Sequence, residues 1–214
     1  AEDDFARAIE LEPNSFQHFL GRANLRIAQD DLQDAVADLS SAILVSQFNP
    51  DLYFNRGEVL SSLGEHALAI ADYVRAIQLN PRDPQYYLSR ALALIATNNF
   101  ELALADVDMA LQADPNDARF HSARGGANIG LGNNQEALED YEQAILQFAL
   151  PVHTMLLQQT ESPDAGWTAL PEYYTGRARA ESALGNFAAA LQDFDHAISM
   201  APEEAGLYSQ RANG

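Results

Sequence analysis

An all-α stack of short antiparallel helix pairs is the fold this chain predicts, and three observations predict it. Alanine recurs at positions 8, 42, 76, 110 and 144, in steps of 34 residues, and resumes at Ala197 after a step of 34 plus 19. Other columns keep the same phase: Arg22, Arg56, Arg90, Arg124, Arg177 and Arg211; Asp4, Asp38, Asp72, Asp106, Asp140 and Asp193; Phe19, Tyr53, Tyr87, His121, Tyr174 and Tyr208; Ile9, Ile43, Ile77, Leu111, Ile145 and Ile198. Within one period the apolar spacing is helical, with Tyr53, Gly57 and Leu60 on one face and Ala69, Tyr73, Ala76 and Ile77 on another. A fixed period of this length marks a solenoid, in which one small unit stacks on copies of itself.

The elements follow in order. Residues 1–15 carry only the second half of a period (Asp4, Phe5, Ala8, Ile9, Pro13) and predict a single helix. Four full helix pairs are expected over 16–49, 50–83, 84–117 and 118–151. In 50–83, Gly64 ends the first helix and Asn80-Pro81 the second, because proline supplies no interior N–H and disfavours a helical residue before it. Gly57, Ala69 and Ala76 are small enough to let the two backbones approach. The 19 surplus residues fall in 152–170 and include Trp167, the only tryptophan. They read either as a lengthened second helix followed by a surface loop, or as a short apolar helix folded over part of the neighbouring wall. The second reading draws on the interior glycines of Arg124-Gly125-Gly126-Ala127-Asn128-Ile129-Gly130, which leave room for something to lie close. A fifth pair spans 171–204, and 205–214 begins another first helix. Both ends cut the period, as expected of a piece of a longer array, whose targeting signals would lie outside it.

These residues resemble the tetratricopeptide repeat family, whose pattern places an aromatic, Leu-Gly and Tyr on helix A, then Ala, an aromatic and Pro on and after helix B. Here the matching places hold Tyr53, Arg56-Gly57, Leu60, Ala69, Tyr73 and Pro81, and later Tyr174, Arg177-Ala178, Glu181, Ala190, Phe194 and Pro202. The chain departs where the family usually has Leu, carrying Arg in all six copies, and the helix-A Tyr is lost at Arg26, Asn128 and Glu181. The resemblance implies a right-handed superhelical α-solenoid with the A helices on a concave wall that grips peptides.

Composition narrows the functions. There are 31 acidic residues against 12 arginines and no lysine, for a net charge of −19. A nucleic acid needs a basic surface, so it is not an expected partner, nor is an anionic membrane. No cysteine is present, which excludes disulfides and thiol chemistry. No apolar run approaches the ~18 residues of a membrane span. His18, His66, His121, His153 and His196 stand in different columns, and Asp106/Asp108 and Asp193/Asp195 point to different helix faces, so neither catalytic nor metal residues are assigned and no cofactor is expected.

The arginine and aspartate columns predict ion pairs, since guanidinium binds a carboxylate in two places and stays charged when partly buried. Packing of helix B on the next helix A suggests pairs between successive repeats: Asp4–Arg22, Asp38–Arg56, Asp72–Arg90, Asp106–Arg124, Asp140–Arg177 and Asp193–Arg211. The wall implied by the resemblance presents Asn24, Ile27, Phe54, Asn55, Leu88, Leu92, Ile95, Arg119, Ile129 and Arg179 as candidate contacts. Asn24 and Asn55 stand where the family's carboxylate clamp has asparagines. Leu20, Gln85 and Ser89 replace its basic residues, so the clamp is rejected. The expected role is a non-enzymatic scaffold that binds a peptide or helix of a partner protein in this groove. Alternatives are the repeat arm of a larger enzyme and a module that self-associates into a homo-oligomer through uncapped ends.

Overall fold

A computed structural model describes residues 1–158 and 170–213, and among them every regular element is an α-helix. Two compact units divide the chain, Ala1–Thr97 and Asn98–Gly214. The N-terminal unit contains α1 (Glu2–Leu11), the pairs α2 (Phe16–Ala28)/α3 (Leu32–Val45) and α4 (Pro50–Ser62)/α5 (His66–Leu79), and α6 (Pro84–Ala96). The C-terminal unit contains α7 (Phe100–Ala113), the pairs α8 (Ala118–Leu131)/α9 (Asn134–Gln158) and α10 (Leu170–Ala183)/α11 (Phe187–Met200), and α12 (Ala205–Asn213). Within each unit, helices consecutive in the chain pack on one another. Helix α9 runs past residue 151 into the surplus segment; the remainder of that segment, with Trp167 and the reading that it covers the wall, lies outside the described residues.

The turns inside the pairs share one mechanism. Asp30, Gly64, Gly132 and Gly185 take φ of 65°, 78°, 78° and 84° just past the end of the A helix. The next residue's N–H then reaches back five places to a helix carbonyl: Asp31 to Arg26 at 2.9 Å, Glu65 to Leu60 at 2.9 Å, Asn133 to Asn128 at 2.9 Å, Asn186 to Glu181 at 2.9 Å. That bond pattern closes a helix C-terminus on a left-handed residue. Between pairs, helices restart on side-chain caps. Asn49, Asp83 and Asp117 accept from the backbone N–H groups of Asp51, Gln85 and Arg119 at 2.9–3.0 Å, with Pro50 and Pro84 at the first helical position.

The aromatic column has its own task there. The hydroxyls of Tyr53, Tyr87 and Tyr208 donate to the carbonyls of Gln47, Pro81 and Pro202, six residues back, each at 3.1 Å. His121 does the same through Nε2, donating to the Pro115 carbonyl at 2.9 Å, so the histidine is a faithful substitute for tyrosine. Its side chain is buried, 8% exposed.

The alanine column is the floor of the core: Ala42, Ala76, Ala110, Ala144 and Ala197 are all fully buried. Gly57 lets the Tyr73 ring lie on α4, since a Cβ there would stand 2.6 Å from the ring. In the C-terminal unit, Tyr141 lies between Gly125 of α8 and Gly176 of α10, where a Cβ on either would collide with the ring, more severely at Gly176. The contacts at Gly57 and Gly125, which share one column, are what that small column predicts; Gly176 stands outside it.

The ion pairs form, but within each helix pair and not between successive repeats as expected. Arg22 clamps Asp38 through Nε and Nη2 at 2.8 and 2.6 Å; Arg56 clamps Asp72 at 2.7 and 2.7 Å; Arg177 clamps Asp193 at 2.8 and 2.7 Å. Arg124 reaches Asp140 Oδ1 at 2.8 and 2.7 Å. The pairings Asp38–Arg56, Asp140–Arg177 and Asp193–Arg211 are thus corrected, because each of these carboxylates is held by its own pair's guanidinium. So are Asp72–Arg90 and Asp106–Arg124 in so far as Asp72 belongs to Arg56 and Arg124 to Asp140. Asp4 meets the N-terminal ammonium at 3.3 Å, not Arg22. Antiparallel geometry is the reason. Arg22, Arg56, Arg124 and Arg177 each precede the left-handed turn residue by eight places, and their aspartates follow it by eight, so the two stand level across the hairpin. What does cross to the previous B helix is a weaker reach, two residues beyond the aspartate column: Arg56 to Ser40 Oγ at 3.0 Å, Arg124 to Asp108 at 3.5 Å, Arg211 to Asp195 at 2.5 Å. Arg90 of α6 also lies over the Tyr87 ring at 5.9 Å, and Asp106 of α7 is buried.

Candidate functional site

Each unit holds an open cleft between successive A helices, and these clefts collect part of the predicted wall. In the N-terminal unit the cleft of about 200 Å³ lies between α2 and α4. Asn24 and Ile27 line one side, Asn55, Glu58, Val59 and Ser62 the other, with Leu32 at one end. Its carboxylate is already engaged, since the Tyr73 hydroxyl donates to Glu58 Oε1 at 2.5 Å. Burial and that bond hold the phenol protonated far above its ordinary range.

Phe54 and Leu88 do not stand free on this wall. Phe54 is half-buried between the rings of Tyr73 and Tyr86, at centroid distances of 6.0 and 5.0 Å, and Leu88 is 4% exposed. Both occupy the same place in successive A helices, α4 and α6. Leu92 is exposed and Ile95 half-buried, further along α6.

In the C-terminal unit a larger cleft, about 590 Å³, runs between α8, α10 and α12. Ile129 and Arg179, both expected on the wall, meet there with Ser182, Ala183, Phe194, Gln210 and Asn213. Arg119 is elsewhere in its chemistry: its guanidinium grips Asp117, the cap of its own helix, at 2.6 Å. Burial works to raise that carboxyl, yet the Arg119 side chain and backbone N–H together hold it below its usual range. Arg179 is different. It is exposed, and no acid pairs with it among the described residues. Burial pushes the nearby Tyr141 phenol up to about 12, and the charge of Arg179 pulls in the opposite direction.

Sequence reasoning missed Gln210 and Asn213 as members of one cleft with Arg179, because α12 supplies them from a segment too short to show its phase. Among the described residues no group of three or more His, Asp or Glu side chains is placed to hold a metal ion. No described helix is long and apolar enough to cross a membrane.

Comparison with known proteins agrees with this architecture. Tetratricopeptide repeat profiles match residues 50–83, 88–151 and 171–204. No curated protein sequence matches the chain. Among solved structures, MamA (41-end) from Desulfovibrio magneticus RS-1 superposes with a TM-score of 0.70 at 15% identity, covering 89% of this chain and 97% of that one. YrrB, described as a TPR protein with an unusual peptide-binding site, gives 0.68 at 18% identity with all of both chains covered. TTC0263, a thermophilic TPR protein of Thermus thermophilus, gives 0.67 at 20% identity over 93% and 98%. At these identities the structures speak for the fold, and the profile matches, spread over more than half of the residues, speak for descent. With the 34-residue columns, the helix pairs and their left-handed turns in agreement, the chain belongs to the tetratricopeptide repeat family.

Proposed function

We propose that the chain is a non-catalytic scaffold that holds a segment of a partner protein against the wall made by its A helices. The observation that carries this reading is the pair of clefts, one in each unit, each combining apolar side chains (Ile27 and Val59; Ile129 and Phe194) with amides and hydroxyls. Such a mixture suits a polypeptide, whose backbone needs hydrogen-bond partners and whose side chains need apolar contact. YrrB, of the same fold, is named for a peptide-binding site, which supports the reading by analogy. The net charge of −19 supports a protein partner over a nucleic acid.

The test is selection of binders from a random peptide library on the immobilised chain. Affinity is then measured for wild type, Ile27→Arg and Ile129→Arg. Each substitution places a long cation in a cleft without touching the buried core. Peptides whose affinity drops about tenfold or more with one of them, a loss of about 1.4 kcal/mol, support the reading; failure to select any binder defeats it. Light scattering over a concentration series separates this from self-association through the ends of the stack.

A further inference from the structure

We infer that the C-terminal cleft is a recognition site for a single carboxylate flanked by apolar side chains, with Arg179 as its cation. The inference rests on the peptide-binding reading above and specifies what one of its clefts selects. Most arginines of this protein are committed to acids: Arg22, Arg56, Arg124 and Arg177 are held by carboxylates of their own hairpins, Arg26 by Glu2 and Asp38, Arg119 by Asp117 and Arg211 by Asp195. Arg179 stands on α10, exposed in a cleft of about 590 Å³ and without an acid among the described residues. In a chain of net charge −19, a cation left facing open space is a local inversion of the field.

A second observation points the same way. Four helical serines, Ser40, Ser41, Ser62 and Ser209, bond back to the carbonyl four residues earlier at 2.7–3.4 Å. Ser182, one turn from Arg179, does not: its Oγ is buried and has no partner among the described residues. A hydroxyl left in that state is costly unless something accepts its proton or donates to it. Gln210 and Asn213 of α12 add neutral amide donors on the facing side. One guanidinium with a hydroxyl and amides neutralises one negative charge in a planar, bidentate fashion, which is the requirement of a carboxylate. A phosphate dianion would retain an unmatched charge beside a strongly acidic chain. Ile129, Ala183 and Phe194 supply the apolar floor on which the residue next to the carboxylate would lie.

The carboxylate can be an Asp or Glu side chain or a chain terminus, and the experiment separates them. A random peptide library is selected on wild type and on Arg179→Gln in two formats, one with a free C-terminus and one fused at both ends. Enrichment of Asp and Glu beside apolar residues in both formats identifies a side chain; binders recovered from the free format alone identify a terminus. In synthetic peptides, replacing the selected carboxylate by its amide should weaken binding about tenfold or more, as for a hydrogen bond to a charged group. Arg179→Gln should cause the same loss, and the two changes together should cost little more than either. Arg179→Lys should restore part of it. Circular dichroism and denaturation midpoints of the variants should match wild type, because Arg179 is exposed. Selected peptides with no need of a carboxylate, or a need that survives Arg179→Gln, would overturn the inference and leave the scaffold reading intact. Absence of any binder on wild type would remove the scaffold reading and this one with it.

Discussion

The two units solve the same packing problem with different polar groups, and the differences locate their separate tasks. In the N-terminal unit Asp38 is 3% exposed and faces two arginines: Arg22 takes both oxygens, and Arg26 Nη1 adds a third bond to Oδ2 at 2.8 Å while its Nε holds Glu2 at 3.0 Å. In the C-terminal unit Asp140 is 4% exposed and faces one arginine and one amide, Arg124 and Asn128, the latter donating to Oδ2 at 2.9 Å. The same turn of helix A thus uses a charge in one unit and a neutral donor in the other. A charge spared at Asn128 and a charge placed at Arg179 give the C-terminal unit an inward network with less cation and a cleft with more. Its counterpart between α2 and α4 holds Glu58 and no arginine.

The largest expected effect breaks that comparison at its core. Asp38→Ala takes the shared carboxylate from two largely buried guanidiniums, of which Arg26 keeps Glu2, and Asp140→Ala takes it from one that stands beside an amide. Removing one member of a buried ion pair costs about 3–5 kcal/mol. Asp38→Ala belongs near the top of that range, and Asp140→Ala near or below its lower end, since Arg124 keeps a solvated edge and Asp108 at 3.5 Å. Hydrogen exchange resolved by helix is the measurement, because repeat stacks open locally and a single global midpoint would average the two. Equal losses in α2/α3 and α8/α9 would mean that the second arginine adds nothing.

The ion-pair columns also show what the sequence makes legible and where it stops. Their existence, and the helix pairs that carry them, follow from the 34-residue period. Partner choice does not follow from spacing alone, because Asp38 is 16 residues from Arg22 and 18 from Arg56. The deciding signal was present in Gly64, Gly132 and Gly185, each midway between an arginine and the aspartate it binds; reflecting the chain about that turn gives the pairs. Burial of Leu88 and half-burial of Phe54 were not legible, since helical periodicity places a residue on a face but does not say how far a neighbouring helix rolls over it. Gln210 and Asn213 lie on a last helix whose phase the columns barely reach.

A smaller effect sharpens the comparison of aromatic seats. Tyr141 lies between glycines on two helices, whereas Tyr73 meets Gly57 on its own pair. Gly176→Ala would press a methyl into the Tyr141 ring, so overpacking outweighs the ~1 kcal/mol that alanine gains in a helix, for a net loss of about 2 kcal/mol. Gly57→Ala, with 2.6 Å to the edge of Tyr73, should lose about 1 kcal/mol. Urea denaturation of the two variants ranks them, and the reverse order would show that the Tyr141 seat yields more readily than its double enclosure implies.

The smallest effect changes sign between the units. Asp30 holds a left-handed φ of 65° where Gly132 of the C-terminal unit holds 78°. An L residue with a Cβ is strained there, and a carboxylate beside the exposed carbonyls of a helix C-terminus adds repulsion. Asp30→Gly should therefore stabilise α2/α3 by about 0.5–1 kcal/mol, and Gly132→Asp should destabilise α8/α9 by a similar amount. Gly132→Asn, which tolerates the left-handed region without the charge, should fall between. Thermal midpoints at low and high salt divide the two causes: the part that shrinks with added salt is the helix dipole's, and the part that persists is the backbone's. If Asp30→Gly lowers stability instead, the aspartate supplies a contact that outweighs its strain, and the two turns are equivalent in shape only.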